Sequence, residues 1–240
     1  MPGFCFYDDP ELPKGADADK WSGLLRRAHQ QLWSKPLPAG EDLVLRSDLT
    51  VSSPGQVQDL RLSSDTIASS HSAYRRCGID VFWKALSVEE RRRYDRGFYT
   101  IGGFTVFPRR PASLNQRRGT SHQINDRFDL TLECIRLYYE GVTEVALNPL
   151  GDVLLVDAGF FDLFGLGPAG FASYVDFFHL GSLVENGRVR WFDERDCLDW
   201  NFSKVPLPRS LDAYIAYLKN VLCFVDSRNA EIAVAAALNG

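Results

Sequence analysis

The sequence predicts an α+β fold, a small and mainly antiparallel sheet with several helices packed on it in a single compact domain spanning residues 1–240. Three observations carry this. Residues 125–140 have the apolar spacing of a largely buried helix, and residues 98–108 are rich in the aromatic and β-branched types that suit a buried strand. Elsewhere, helical spacings alternate with short strand-like pieces. At 240 residues and 45% hydrophobic content, the chain has ample material for a core.

Residues 4–7 form a short apolar opening, either a strand or a tucked arm, and the arm 1–18 is expected to be loosely attached. Trp21, Leu24, Leu25, Ala28 and Leu32 recur at helical spacing, so residues 19–33 read as one amphipathic helix, broken by Lys35-Pro36-Leu37-Pro38. Residues 43–46 read as a brief strand, 47–58 as a surface loop, and 56–62 as holding another short strand. Ser64-Asp65 reads as the start of a polar helix that stops at Gly78. Residues 79–86 suit helix and strand equally. Ser87-Val88-Glu89-Glu90 has capping-box spacing, in which a serine and a glutamate three residues on bond each other's backbone N–H, and it opens a short basic helix ending at Gly97.

The 98–108 stretch is expected to be the central strand. Gly102-Gly103 within it signals a bulge or a close backbone approach. A basic loop over 109–124 then leads into the 125–140 helix, with Asn125 as N-cap, Asp126 and Asp129 near the positive end of the helix dipole, and Gly141 as the left-handed stop. On that helix Asp126, Asp129, Glu133, Arg136 and Glu140 fall on one charged stripe, while apolar side chains cover most of the remainder. Beyond it come an apolar piece over 153–164, a helix over 171–184, an Asn186-Gly187 turn into a strand over 188–192, and a loop over 193–208. Ser210 caps a final helix, whose tail, 231–240, is expected to be loosely held.

Charge and cysteine content exclude several function classes. The net charge is −4, yet residues 84–136 carry eleven Lys/Arg against six Asp/Glu, leaving the middle at +5 and the flanks at −9. A basic middle suits a small anionic ligand or the acidic flanks themselves. It is no footprint for wholesale nucleic-acid binding, which calls for a net basic domain. Five cysteines without C-x-x-C spacing indicate neither a zinc knot nor a disulfide framework. No signal pattern and no apolar run of about 18 residues is present, so a cytoplasmic protein without a membrane span is expected. Asn201-Phe202-Ser203 is then a chance match to a glycosylation acceptor.

Three constellations bear chemistry. Asn115, Arg118 and Gly119, in the loop before a helix start, have the makings of an anion cradle. Asp129 and Glu133 are like charges one helical turn apart and need a counter-charge, which Arg136 supplies internally and a divalent metal or Arg118 would supply from outside. Arg127 points into an apolar flank, so it needs a carboxylate or a ligand anion as partner. Of the four histidines only His122, inside the basic loop, is placed to act as an acid or base.

Blocks along most of the chain carry a resemblance. They include Leu32-Trp33-Ser34-Lys35-Pro36-Leu37-Pro38, Ile101-Gly102-Gly103 with Phe107-Pro108, Leu114-Asn115 with Arg118-Gly119, Asp126-Arg127-Phe128-Asp129-Leu130-Thr131-Leu132-Glu133-Cys134, and Tyr174-Val175-Asp176-Phe177-Phe178. Together they resemble a family of uncharacterised bacterial proteins. The resemblance implies a bacterial cytosolic protein forming one continuous unit, and it implies no activity, cofactor or catalytic residue. Asn125 stands where that family tends to have lysine, which argues against a catalytic lysine there.

The functional expectation is an enzyme acting on a phosphate- or carboxylate-bearing substrate, with nucleotides and RNA included in that class. Arg118 and Arg127 would hold the anion, and Asp126, Asp129 or Glu133 would supply the base or a metal ligand. The alternative is a noncatalytic binding or scaffold protein whose Asp/Arg block is structural. The sequence specifies no cofactor and no oligomeric state.

Overall fold

Ser22 shows how local chemistry shapes the fold. One helix is expected over 19–33, but Ser22 divides it into α1 (Ala18–Trp21) and α2 (Gly23–Trp33). Its hydroxyl oxygen accepts the Leu25 N–H at 3.0 Å while its proton goes to Asp9 at 2.6 Å, so it serves as the N-cap of α2. The computed structural model describes residues 3–52, 60–110, 113–193 and 207–238. Most of the loop expected over 193–208, with Cys197 and the Asn201 triplet, and residues 53–58 lie outside the described residues.

The sheet is a curled five-stranded antiparallel meander of β1 (Lys35–Pro36), β2 (Asp42–Leu45), β3 (Thr50–Ser52), β4 (Leu60–Thr66) and β5 (Phe104–Pro108), each strand beside its sequence neighbour. In β2, Leu43 and Leu45 are buried while Asp42 and Val44 face outward, the alternation a half-buried strand requires. Ser64 and Asp65 belong to β4, paired with Val106 and Thr105 of β5, and do not start a helix. The helix signal belongs to Ser70, which caps α3 (His71–Arg76) by accepting the Ala73 N–H. Residues 80–85 resolve as α4 (Asp80–Ala85), and Ser87 with Glu90 forms the expected capping box of α5 (Val88–Phe98).

The strand expected over 98–108 is shorter and lies at one end of the sheet, not at its centre. Phe98 closes α5, and Ile101–Gly103 makes a 3-10 turn before β5 begins. The two glycines mark a close approach, since a Cβ at Gly102 would collide with the Val225 carbonyl oxygen and one at Gly103 with that of Phe98. Every residue of β5 is nevertheless buried.

The basic loop contains a helix, α6 (Leu114–Thr120), and α7 runs over Phe128–Tyr139, starting three residues later than the sequence suggests. There follow α8 (Gly151–Val156), α9 (Ala158–Phe161), α10 (Gly167–Phe177), the hairpin β6 (Val184–Glu185) and β7 (Arg188–Val189), and the 28-residue α11 (Leu211–Leu238). Asn186 and Gly187 both have positive φ, as the tight hairpin turn demands. Ser210 accepts the Ala213 N–H at the start of α11. The main core gathers around Trp33, Phe107, Phe128 and Tyr174, and a smaller cluster joins Phe6 to Leu25, Phe104 and Ile232. No helix among the described residues is long and apolar enough to cross a membrane.

Candidate functional site

Each end of α7 offers a candidate place. At its start, Asn125 (φ 51°) and Asp126 (φ 63°) take the left-handed conformation that Asn and Asp tolerate best among side-chain-bearing residues. The chain therefore turns where a helix was expected. Asn125 is no N-cap: its amide donates to the His122 carbonyl and its oxygen accepts from the Cys77 thiol. The turn aims the Asp126 carbonyl inward, where it accepts from Arg118 Nη2 at 2.8 Å, and lets the carboxylate accept the Ser70 N–H at 2.7 Å.

Arg118 is completely buried. Its Nη1 donates to Asp65 Oδ2 at 2.5 Å and to the Thr66 carbonyl at 2.9 Å, and its Nε lies 3.5 Å from Asp126 Oδ1. Burial pushes the Asp65 carboxyl up to about 6 against the pull of Arg118, with Asp126 adding to the rise. Arg127 is equally deep. It grips Asp129 with Nε and Nη2, and its Nη1 donates to Asp193 at 2.8 Å. Asp129 also accepts the Phe192 N–H at 3.0 Å, so its carboxylate is engaged three times by groups of this chain. Burial lowers the Arg127 pKa, but Asp129 and Asp193 outweigh it and the net shift is upward.

The other residues singled out from sequence are distributed around this block. Asn115, on α6, donates to Ser63 Oγ at 2.8 Å. Gly119 lies within α6, its carbonyl bonded to Arg76, and a Cβ there would meet nothing closer than 3.9 Å, so no close approach requires a glycine. His122 is exposed. Glu133 pairs with Arg136 through two bonds of 2.8 and 2.9 Å, and Arg136 reaches on to Glu140 at 2.5 Å. Beside the block the available space, bordered by Ser69, Cys77, Asn125, Arg127 and Tyr217, amounts to about 10 Å³. One water molecule needs that much. Among the described residues no set of three or more His, Cys, Asp or Glu is arranged to hold a metal ion.

At the far end of α7 lies a cavity of about 330 Å³, lined by Arg136 of α7 and Glu140 just after it, Phe171, Val175 and Asp176 of α10, and His179, Val184 and Glu231 among others. Sequence reasoning missed it. Its most unusual member is His179, which follows α10 with φ 53°. The His179 N–H bonds the Asp176 carbonyl and the Leu180 N–H bonds the Val175 carbonyl, the two bonds of a Schellman stop, whose left-handed position ordinarily takes glycine. α7 ends in the same way, with Gly141 in that position. Burial, with help from Lys35 and Arg228, lowers the His179 pKa to about 4, so its ring is neutral at pH 7. The available signal was a helix end at Phe178-His179-Leu180 that lacks glycine where the stop falls.

No curated protein and no solved structure matches the chain. Residues 2–232 match the model of a family described as "Family of unknown function (DUF6994)", and the chain belongs to that family.

Proposed function

We propose that the chain is a noncatalytic binding protein, in which the Asp/Arg block at the start of α7 is internal scaffolding and the cavity at the end of α7 receives the ligand. The observation that carries this reading is the contrast in room, about 330 Å³ at one end against about 10 Å³ at the other. Ligand sites are concave, mostly apolar and hold a few convergent polar groups, a description that fits the larger space. A general base needs a lone pair within reach of substrate, whereas Asp129 already accepts from Arg127 and the Phe192 N–H. The anion-site alternative would require Arg118 or Arg127 to leave carboxylates of its own chain.

Two measurements test the scaffold half. Phosphate, pyrophosphate and Mn²⁺, at matched ionic strength, should leave the thermal midpoint unchanged; saturable stabilisation that Arg118→Gln abolishes would restore the anion site. In urea denaturation, Arg127→Met should cost about 3–5 kcal/mol, because it strands buried carboxylates. Adding Asp129→Asn, which keeps an acceptor for the Phe192 N–H, should recover more than half of that loss. A cost below about 1 kcal/mol for the single change would sink the scaffold role.

A further inference from the structure

The charge around the cavity is unbalanced, and this bears on what it binds; the inference rests on the reading of the cavity as the ligand site. Phe171 and Val175 form buried apolar wall, while Glu140 and Asp176 are exposed and Glu231 is half-buried. Among the described residues the only cation in the lining, Arg136, is already held by Glu133 and Glu140. Among the described residues the Asp176 and Glu231 carboxylates make no hydrogen bond or ion pair, and burial raises the Glu231 pKa against the pull of Arg228, with the Asp176 charge adding to the rise. Lys35 acts on Asp176 and Arg228 on Glu231 only through space, since Lys35 donates to the Phe177 carbonyl and Arg228 to the carbonyls of Phe178, Gly102 and Phe104. Two carboxylates without a direct ion pair beside an apolar wall call for a ligand of opposite charge and similar polarity pattern.

We infer that the cavity takes a small organic cation, an ammonium group on an aromatic or branched aliphatic body, with Asp176 and Glu231 receiving the charge and Phe171, Val175 and Val184 enclosing the body. The test uses three probes that share one ring system: tryptamine, 3-ethylindole and indole-3-propionate, titrated calorimetrically at pH 7 and low salt. Tryptamine should bind more tightly than indole-3-propionate by roughly tenfold or more, as expected for a charge-assisted hydrogen bond. That preference should vanish in the Asp176→Asn/Glu231→Gln variant. Ala172→Trp, a change at an exposed lining position, should fill the space and abolish binding of all three. Equal affinity for the two charged indoles, or a preference that survives the double substitution, overturns the charge inference while leaving the cavity as the binding site. Failure of all three probes, or binding indifferent to Ala172→Trp, overturns the cavity reading itself. Circular dichroism on each variant separates these outcomes from misfolding.

Discussion

His179 and Gly141 occupy equivalent positions in two helix stops, and the comparison isolates the cost of a side chain. Left-handed backbone costs a residue with a Cβ about 1–2 kcal/mol relative to glycine, part of which glycine gives back through its freer unfolded state. His179→Gly should therefore raise stability by about 0.5–1 kcal/mol in chemical denaturation, yet weaken tryptamine binding, because the cavity loses one wall. A destabilised variant would show that the imidazole contributes more to packing against Trp33, 5.9 Å away, than the backbone loses. At this scale the sequence was readable where partners are close along the chain. Arg127 on an apolar flank called for a carboxylate or a ligand anion, and Asp129, two residues on, is a carboxylate it holds. Asp65 and Asp193 lie 53 and 66 residues from the arginines they serve, and no spacing rule reaches that far.

Elements whose boundaries are written in side-chain chemistry were legible: the capping box of α5, the Asn186-Gly187 hairpin, Ser210 before α11 and Gly141 after α7. Sheet order was not, because the end position of β5 follows from which strands pair, and a fully buried end strand has the same composition as a central one. The α6 helix was hidden for another reason: Ser113 makes no capping hydrogen bond and the helix is rich in arginine, so nothing local announces it. The Gly102-Gly103 signal, read as a bulge or a close approach, turns out to be the second. Gly103→Ala would drive a methyl into the Phe98 carbonyl and should cost about 3 kcal/mol or more. Gly159→Ala, in α9 with nothing within 4 Å, should be neutral or stabilise by up to about 1 kcal/mol. Urea midpoints of the two variants decide it, and equal effects would mean that the approach at Gly103 relaxes easily.

For the whole molecule, buried ionisable groups set the response to pH. Trp33 Nε1–H can only donate, and it donates to His29 Nδ1, so His29 carries its proton on Nε2 and gives it to Ser64 Oγ. Burial holds the His29 pKa at about 3, with Arg228 adding to the shift, whereas the unfolded value is near 6.5. The unfolded chain thus takes up a proton first, and stability falls as pH drops from about 6.5 towards 3. Asp19 acts in the opposite sense. Burial, with a hydrogen bond to Asp17, raises its pKa to about 8, so the folded state keeps a proton that the unfolded state releases near 4, and stability falls as pH rises between those values. Asp19→Asn should remove the part of this loss between pH 6.5 and 8, where His29 no longer compensates, as measured by urea midpoints across that range. An unchanged slope would mean that Asp19 ionises freely.

Arg228 fastens the last helix to the opening of β5 through the Gly102 and Phe104 carbonyls, with its guanidinium over Trp33. During translation this residue emerges more than a hundred positions after the strand it serves. Until it arrives, the margin of β5 keeps bare acceptors and an uncovered aromatic surface, an invitation to pair with a neighbouring nascent chain. The hazard ends only when that helix has emerged, so yield in a cell should depend on chaperone capacity more than the folded molecule's resistance to heat would suggest.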